Sequence, residues 1–227
     1  MVRAEDAMSD TLTLRIDGAE PLTAGAVKEL AAVCDEAEDG EGTGVVTVYV
    51  TGTPGPGWTR GVDVQLVSKW ERALRRLERL PAATVAVARG DCGGTALDAF
   101  LAADIRVATP GTRLLVARDG EATWPGMAGY RLVQLAGAAG VRRAVLFGLP
   151  IDATEAQALG LVDDLAADPA SGVAAAAGMA SGLSGKEVAI RRQLLFDATT
   201  TSFEDALGRH LAACDRSLRA DAARVDS

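Results

Sequence analysis

Two adjacent glycines followed by an apolar helical pattern form the stretch of this sequence best suited to chemistry. The stretch reads GDCGGTALDAFLAADIRVA over residues 90–108. Glycine permits positive φ and lets a ligand approach the backbone closely, and Gly93 and Gly94 lie between a predicted strand and a predicted helix. The amides of Thr95 and Ala96 follow at the helix start, where N–H groups have no intrahelical partner. Such amides can hold an oxyanion or a thioester carbonyl.

Asp98 comes one helical turn after Thr95 and can act as a general acid or base beside a carbonyl bound there. The same four residues also fit a capping box. In that alternative Thr95 is the N-cap, and the Asp98 side chain at N3 accepts from the Thr95 amide. The residues alone leave both interpretations open.

Histidine and cysteine chemistry is poorly supported. The single histidine, His210, lies in a charge-rich helical pattern and is predicted to be a surface residue, which argues against a catalytic triad or a multi-histidine metal site. Cys34, Cys92 and Cys214 stand far apart without a CxxC pair, so neither a disulfide framework nor a zinc site is indicated. Cys92 is predicted to be a small buried residue rather than a nucleophile. A reducing cytoplasm fits this cysteine usage best.

The net charge of −8 argues against nucleic acid and anionic membranes as partners. Three basic clusters, residues 72–79, 142–144 and 191–193, are candidates for an anionic ligand, and each can equally be a solvated helix face. Residues 1–10 are charged and are predicted to form a disordered leader rather than a secretory signal. No apolar run approaches the ~18–20 residues that cross a bilayer.

Strands and helices alternate around the glycine pair, which predicts a parallel sheet built in stacked turns. From about residue 127 onward the pattern becomes mostly helical. Asp104 is predicted to close the turn between the helix and the next strand. The predicted strands cover residues 11–17, 44–52, 84–88, 105–108, 113–117 and 161–165, and the predicted helices cover 22–40, with Thr23 as its cap and Gly40 as its stop, 62–80 and 95–103.

Five segments in this order resemble the crotonase (enoyl-CoA hydratase/isomerase) superfamily. The strand VTVYVTG is similar to the family's first motif strand, and GWTRGVD (57–63) to its F-x-A-G-x-D loop. Residues 90–104 are similar to its N-G-x-x-x-G-G-G-x-E-L motif region. WPGMAGYRLVQLAG (124–137) is similar to its P-G-x-x-G segment, and ATEAQALGLVDDL (153–165) to its A-x-E-A-x-x-x-G-L-V-D stretch. The resemblance covers roughly residues 10–210.

The resemblance implies an α/β crotonase-like (ClpP/crotonase) fold, a stacked ββα superhelix with a helical C-terminal region. The ββα core is expected over residues 11–150, and a helical trimerisation region over residues 151–227. The substrate implied is a coenzyme A thioester, with no metal and no further cofactor, and the basic clusters become candidates for its anionic nucleotide. The residues implied are Asp98 with the Val62 and Thr95 amides for catalysis, and Gly61, Gly94, Trp124, Gly126 and Arg60 for substrate binding.

Two departures from the family pattern narrow the expected chemistry. The family's second catalytic Glu falls on Arg118, which cannot act as a base at neutral pH. Asp119 or Glu121 can substitute only if the loop is shifted. Thr95 stands at the middle glycine of the family triplet and restricts the backbone there. The expectation is one-carboxylate chemistry: proton removal, double-bond migration or dehydration of a β-hydroxy thioester.

Within the superfamily, the short length, the LTLRIDG…PLTA opening and the CDEAEDG stretch most resemble the DpgB subfamily. That resemblance implies dehydration or isomerisation, a lyase reaction, in the formation of 3,5-dihydroxyphenylacetyl-CoA for the dihydroxyphenylglycine of glycopeptide antibiotics. It also implies a type III polyketide synthase as partner and a homotrimer or hexamer. The alternatives are a non-catalytic auxiliary that activates the synthase and a general enoyl-CoA hydratase.

Overall fold

A parallel sheet and the helices that cross over between its strands position the glycine pair. The computed structural model describes residues 12–40, 44–180 and 185–225, so the expected leader at residues 1–10 lies outside the described part of the chain. The strands are β1 Leu12–Asp17, β2 Val45–Gly52, β3 Ala83–Gly93, β4 Ile105–Ala108, β5 Arg113–Leu115, β6 Arg118–Asp119, β7 Ala122–Thr123, β8 Ile151–Asp152 and β9 Asp164–Leu165. The helices are α1 Ala24–Asp39, α2 Val64–Leu77, α3 Thr95–Leu101, α4 Met127–Phe147, α5 Ala153–Ala158, α6 Pro169–Ala180, α7 Gly185–Ala198 and α8 Phe203–Val225.

The main sheet runs β1-β2-β3-β4-β9, and all of these neighbours pair in parallel. The first part of β3 pairs with β4, whereas its last three residues, Asp91 to Gly93, pair with β5. One long strand therefore belongs to two successive turns of the sheet. The stacked parallel arrangement predicted from the alternating pattern is confirmed.

Local signals fix the ends of the first two helices. The Thr23 side chain caps α1 by accepting from the Ala26 amide, and Gly40 ends the helix as predicted. Asp63 caps α2 by accepting from the Leu66 amide at 2.7 Å. In the sequence Trp70, Leu74 and Leu77 recur every three to four residues, the spacing that predicts one apolar helix face, and all three are buried in α2.

The sheet is covered on both faces. Helices α1, α2 and α3 cover one face, where the largest fully buried side chains include Phe100, Leu30 and Leu74. On the other face Val85, Val87 and Val107 form a smaller cluster with Ala176 of α6. Burial on both faces explains the nearly continuous apolar sequence of β3.

The later part of the chain is mostly helical, as predicted. Gly137, with φ of 73°, interrupts α4. The strand predicted over residues 161–165 is limited to β9, because the two residues before Asp163 are bound to the end of α5 through the Ala156 carbonyl. Within the described residues, no helix is both long and apolar enough to cross a membrane.

Arg192 corrects the interpretation of the cluster at residues 191–193, because it is neither a solvated cation nor a ligand for an anion. It is only 7% exposed. Its guanidinium donates to the carbonyls of Leu80 (2.8 Å) and Ala82 (2.9 Å) and to both oxygens of Asp104. Asp104 in turn accepts from the amide and hydroxyl of Thr84, in keeping with its predicted role at the turn. Arg192 thereby fastens α7 to the core.

We expect Arg192→Ala to lower the free energy of unfolding by about 3–5 kcal/mol, because it leaves the Leu80 and Ala82 carbonyls without this donor and the Asp104 carboxylate without its ion-pair partner. Arg191→Ala is the matched control. Its ion pair with Glu187 on the same helix is exposed and screened by solvent, so its loss should change the free energy of unfolding little. Urea denaturation of both variants measures the difference, and similar losses in the two would contradict the anchoring role.

Candidate active site

A cavity lies between α2, α3, the start of α4 and the loops that follow β2 and β5. The cavity has a volume of about 30 Å³, which is room for roughly two water molecules. The wall is mostly apolar, and among the described residues Asp98 and Glu71 are the only acidic ones in it. The lining residues are Leu22, Trp58, Val62, Val67, Trp70, Glu71, Gly94, Thr95, Leu97, Asp98, Val116, Ala117, Trp124 and Ala128.

The Asp98 carboxyl faces this cavity and does not cap its own helix. Gly94 is the N-cap of α3, which makes Thr95 the first helical residue, and no side chain caps the helix. The capping-box alternative is therefore wrong. The Asp98 Oδ2 atom instead accepts a hydrogen bond from Nε1 of Trp70 on α2, at 3.1 Å.

The two glycines answer different steric demands. Gly94 has φ of +54° and ψ of −131°, a conformation that residues with a side chain rarely adopt. The φ of Gly93 is one that other residues adopt, so its backbone conformation does not require glycine. A Cβ there, however, would lie 2.4 Å from the Thr53 hydroxyl and 3.0 Å from the Leu115 carbonyl oxygen. The chain can thus leave β3 and enter α3 directly beside the cavity.

Burial dominates the electrostatics of the cavity. It raises the pKa of Asp98 to about 7, and the negative charge of Glu71 adds to the rise, while Arg131 and the Trp70 hydrogen bond oppose it. Burial also raises the pKa of Glu71, against the lowering effect of Arg131. For Cys92, burial raises the pKa of the thiol, in agreement with its prediction as an inert buried residue.

The two amides expected to form an oxyanion hole differ in their present hydrogen bonding. Both Val62 and Thr95 line the cavity. As the first residue of α3, Thr95 has an amide with no partner inside its helix. The Val62 amide, however, donates to the carbonyl of Thr59 at 3.0 Å and closes a turn. In this conformation the Val62 N–H is not free for a substrate oxygen.

Two tryptophans belong to the cavity wall. Trp58 and Trp124 pack edge to face, with ring centroids 5.2 Å apart. The Trp58 Nε1 donates to the Arg118 carbonyl at 2.8 Å, and the Trp124 amide donates to the Ala117 carbonyl at 2.7 Å. The β6–β7 hairpin was not predicted from the sequence. Arg118 belongs to this hairpin, and Ala117 directly precedes it.

Comparison with known proteins identifies the family. The chain is 59% identical over 215 residues to an enoyl-CoA hydratase of Amycolatopsis orientalis, covering 95% of this chain and 99% of the relative. The chain belongs to the crotonase (enoyl-CoA hydratase/isomerase) superfamily. It is accordingly an enzyme of the hydratase/isomerase type. No family model matches the chain.

Solved crotonase structures confirm the fold. An enoyl-CoA hydratase/isomerase from Marinobacter aquaeolei superimposes with a TM-score of 0.78 at 18% identity, covering 94% of this chain and 90% of that one. An enoyl-CoA hydratase from Mycobacterium smegmatis gives a TM-score of 0.77 at 18% identity, covering 91% and 86%. The α/β crotonase fold with a helical C-terminal region is thus established for this chain.

Several residues implied by the crotonase motifs lie off the cavity wall. Gly61 is exposed with φ of +78°, next to the cavity-lining Val62. Arg60 is exposed, and its guanidinium lies against Gly57. Gly126 packs under the indole of Trp124, where a Cβ would lie 2.7 Å from a ring carbon. By contrast, Gly94 and Trp124 belong to the wall itself.

The acidic residues next to Arg118 also lie off the wall of this crotonase's cavity. Asp119 is exposed and accepts from the Thr59 hydroxyl at 3.2 Å. Glu121 is exposed, and its carbonyl accepts from the Arg118 guanidinium. Neither is in place to serve as a second carboxylate in this conformation.

The two remaining basic clusters of this crotonase differ in how many of their arginines form ion pairs. In the cluster at residues 72–79, Arg76 pairs with Asp35 and Glu38 of α1, and Arg75 pairs with Glu78. Arg142 and Arg143 are exposed and form no ion pair within the described residues. Arg72 and Arg79 of the first cluster are likewise exposed and form no ion pair within the described residues, so both clusters retain unpaired cations.

Sequence reasoning missed Glu71 and the partner role of Trp70. The periodicity of α2 placed Trp70 on the buried face, which is correct. Glu71 follows it directly and looks like one more charged residue of an amphipathic helix. The available signal was its place beside the buried tryptophan, two turns after the loop that carries Val62.

We expect Asp98→Asn to stabilise the protein relative to wild type increasingly as the pH rises. The folded pKa of about 7 exceeds the ordinary value of about 3.9, so the native state holds the proton more tightly. This contribution is complete below about pH 4 and is lost as the pH rises through 7. Because the asparagine variant lacks it, the difference in unfolding free energy should move in its favour by about 2–4 kcal/mol between pH 4 and 8.

Urea denaturation across this range measures that difference. Asp119→Asn, which neutralises an exposed carboxylate outside the cavity, should keep the wild-type pH dependence. A difference between Asp98→Asn and wild type that does not change with pH would show that the carboxyl is well solvated.

Proposed function

We propose that this crotonase acts on an acyl-CoA thioester and moves a proton at the carbon next to the thioester carbonyl, with Asp98 as the acid–base group. The observation that carries the proposal is the Asp98 carboxyl in the cavity wall, held by Trp70, with a pKa near neutrality. A general acid–base group works best when its pKa lies near the operating pH.

The Thr95 and Val62 amides are the proposed donors to the thioester carbonyl. Two convergent N–H groups stabilise the enolate that forms when the α proton leaves, and the loss of one such donor costs a barrier increase of about 3–4 kcal/mol. Thr95 supports the proposal through its place at the start of α3. For Val62 to take part, the substrate oxygen must replace the Thr59 carbonyl as its acceptor.

The acyl group is proposed to enter between Trp58 and Trp124. Since the cavity admits only about two water molecules, an acyl chain must push at least one indole aside. The backbone beside Gly94 can then approach the thioester closely. Arg60, Gly61 and Gly126 are near the wall residues Val62 and Trp124 in sequence without lining the cavity, and they are proposed to contact the coenzyme A portion.

Two reactions fit this geometry. The first is dehydration and aromatisation of a polyketide-derived thioester beside a type III polyketide synthase, which rests on the DpgB-like opening of the sequence. The second is general enoyl-CoA hydration, which the hydratase from Amycolatopsis orientalis favours. Both need α-proton transfer by Asp98, so the shared step is tested first.

We expect Asp98→Asn to lower the exchange of the α protons of butyryl-CoA into D₂O by about 10²–10⁴-fold, because this step needs a base and no water addition. Wild-type exchange should rise as the pH passes through about 7, where Asp98 loses its proton. Proton NMR follows the exchange, with Asp119→Asn as the control that keeps wild-type rates. Wild-type protein without exchange would overturn the proposal.

The type III synthase separates the remaining possibilities. A catalytic role in aromatisation predicts that wild type increases 3,5-dihydroxyphenylacetyl-CoA formation and Asp98→Asn does not. Equal stimulation by both proteins would instead indicate a non-catalytic auxiliary. Rapid hydration of crotonyl-CoA without any effect on the synthase would favour the general hydratase.

We also propose that α8 joins copies of this chain into a trimer or hexamer. Its exposed apolar side chains, Phe203, Leu207, Leu211 and Leu218, recur at helical spacing and share one face. The ion pairs of Arg209 with Asp197 and of Arg216 with Glu187 fasten the opposite face to α7. An apolar stripe of this kind on a helix usually marks an interaction surface.

We expect Leu211→Asp to shift the protein from an oligomer to a monomer, because it places a charge in the centre of the apolar stripe. Ala212→Asp puts the same charge on the neighbouring exposed position, outside the stripe, and should leave the oligomer intact. Light scattering after size exclusion measures both. A monomeric wild type would contradict the proposal.

A further inference from the structure

We infer that Glu71 of α2 is the second acid–base group of this site and works with Asp98 on the β position of the substrate. The inference rests on the proposed acyl-CoA function. It assigns the second carboxylate to a different element from the one implied by the family motifs, where Arg118 stands. In the reaction that it concerns, the bond between the β carbon and a hydroxyl forms or breaks while a proton leaves or joins that hydroxyl.

The first support is the placement of the two carboxyl groups. Glu71 and Asp98 line the same cavity, and no other acidic residue in the described part of the chain does so. Trp70 precedes Glu71 and holds the Asp98 Oδ2 atom, so one turn of α2 both positions the first carboxyl and carries the second. Arg118, exposed on β6, lies outside the wall.

The second support is the way in which Arg131 contacts its two carboxylates. Its Nε donates to Glu78 Oε1 in an aligned hydrogen bond of 2.7 Å. Its Nη1 lies 2.9 Å from Glu71 Oε2 in a second ion pair, which lowers the pKa of Glu71 against the effect of burial. Glu78 lies off the cavity wall, whereas Glu71, held by the same guanidinium, lines the cavity.

The third support is the charge of the pair. Burial raises the pKa of both carboxyls. The charge of Glu71 adds to the rise at Asp98, and the charge of Glu78 adds to the rise at Glu71. We assign one proton to the two carboxyls near neutral pH and place it on Asp98, because Arg131, which forms an ion pair with Glu71, favours the ionised form of Glu71.

That single proton suits reversible water addition. In hydration, ionised Glu71 takes a proton from water while the water oxygen bonds to the β carbon, and protonated Asp98 gives its proton to the α carbon. In dehydration, Asp98 takes the α proton and protonated Glu71 gives its proton to the leaving hydroxyl, releasing water. Each direction ends with the proton on the other carboxyl, and its return resets the pair.

The test compares two reactions in Glu71→Gln and Glu78→Gln. Crotonyl-CoA hydration needs both carboxyls, whereas α-proton exchange of butyryl-CoA needs only Asp98. We expect Glu71→Gln to lower kcat for hydration by at least about 10²-fold and exchange by less than about tenfold. Its exchange profile should also move to lower pH, because the variant loses the negative charge that raises the pKa of Asp98.

Glu78→Gln is the matched control, since it removes the other carboxylate of Arg131 without touching the cavity. It should lower stability and change both rates by the same factor. If Glu71→Gln behaves in the same way, or still hydrates crotonyl-CoA at the wild-type rate, the inference is overturned. If wild type catalyses neither reaction, the proposed function fails instead of this assignment.

Discussion

A carboxylate that faces a largely apolar cavity is the constraint on which the site depends. Removing the Asp98 carboxyl from water disfavours its charged form. Within the described part of the chain, the Trp70 indole is the one hydrogen-bond donor to this carboxyl. A fully hydrogen-bonded carboxylate would be a weaker base at neutral pH. The cavity therefore has to be dry enough to raise the pKa and rigid enough to keep the indole in place.

The rigidity comes from the sheet through β3. Because the end of β3 pairs with β2 at Cys92 and with β5 at Gly93, α3 begins from a fixed point. The buried side chains of Leu97 and Phe100 then set the rotation of this seven-residue helix. Trp70, only 2% exposed, is fixed in the same way on α2. The position of Asp98 is thus a product of two separately packed helices.

Sequence patterns predicted the parts of this arrangement that depend on local chemistry. Thr23, Gly40 and the apolar face of α2 each follow from a cap or a period, and the order of motifs led to the fold. The capping box at Thr95 failed because Gly94 adopts a conformation that makes it the N-cap. Arg192 was misjudged because its acceptors, Leu80, Ala82 and Asp104, are more than 80 residues away along the chain. Burial of an arginine by distant carbonyls leaves no local signature.

Glu71 was missed for a related reason. A glutamate on an amphipathic helix normally marks the solvated face, and only the packing of α4, which brings Arg131 against α2, turns this position inward. One buried cation then serves Glu71 and Glu78 and also acts on Asp98, so negative charge exceeds positive charge beside the cavity. Burying such an excess is costly unless a proton neutralises part of it. The same imbalance that favours a retained proton also makes that proton available for transfer. An arginine at position 118 is compatible with this arrangement, because the second carboxyl does not have to come from β6.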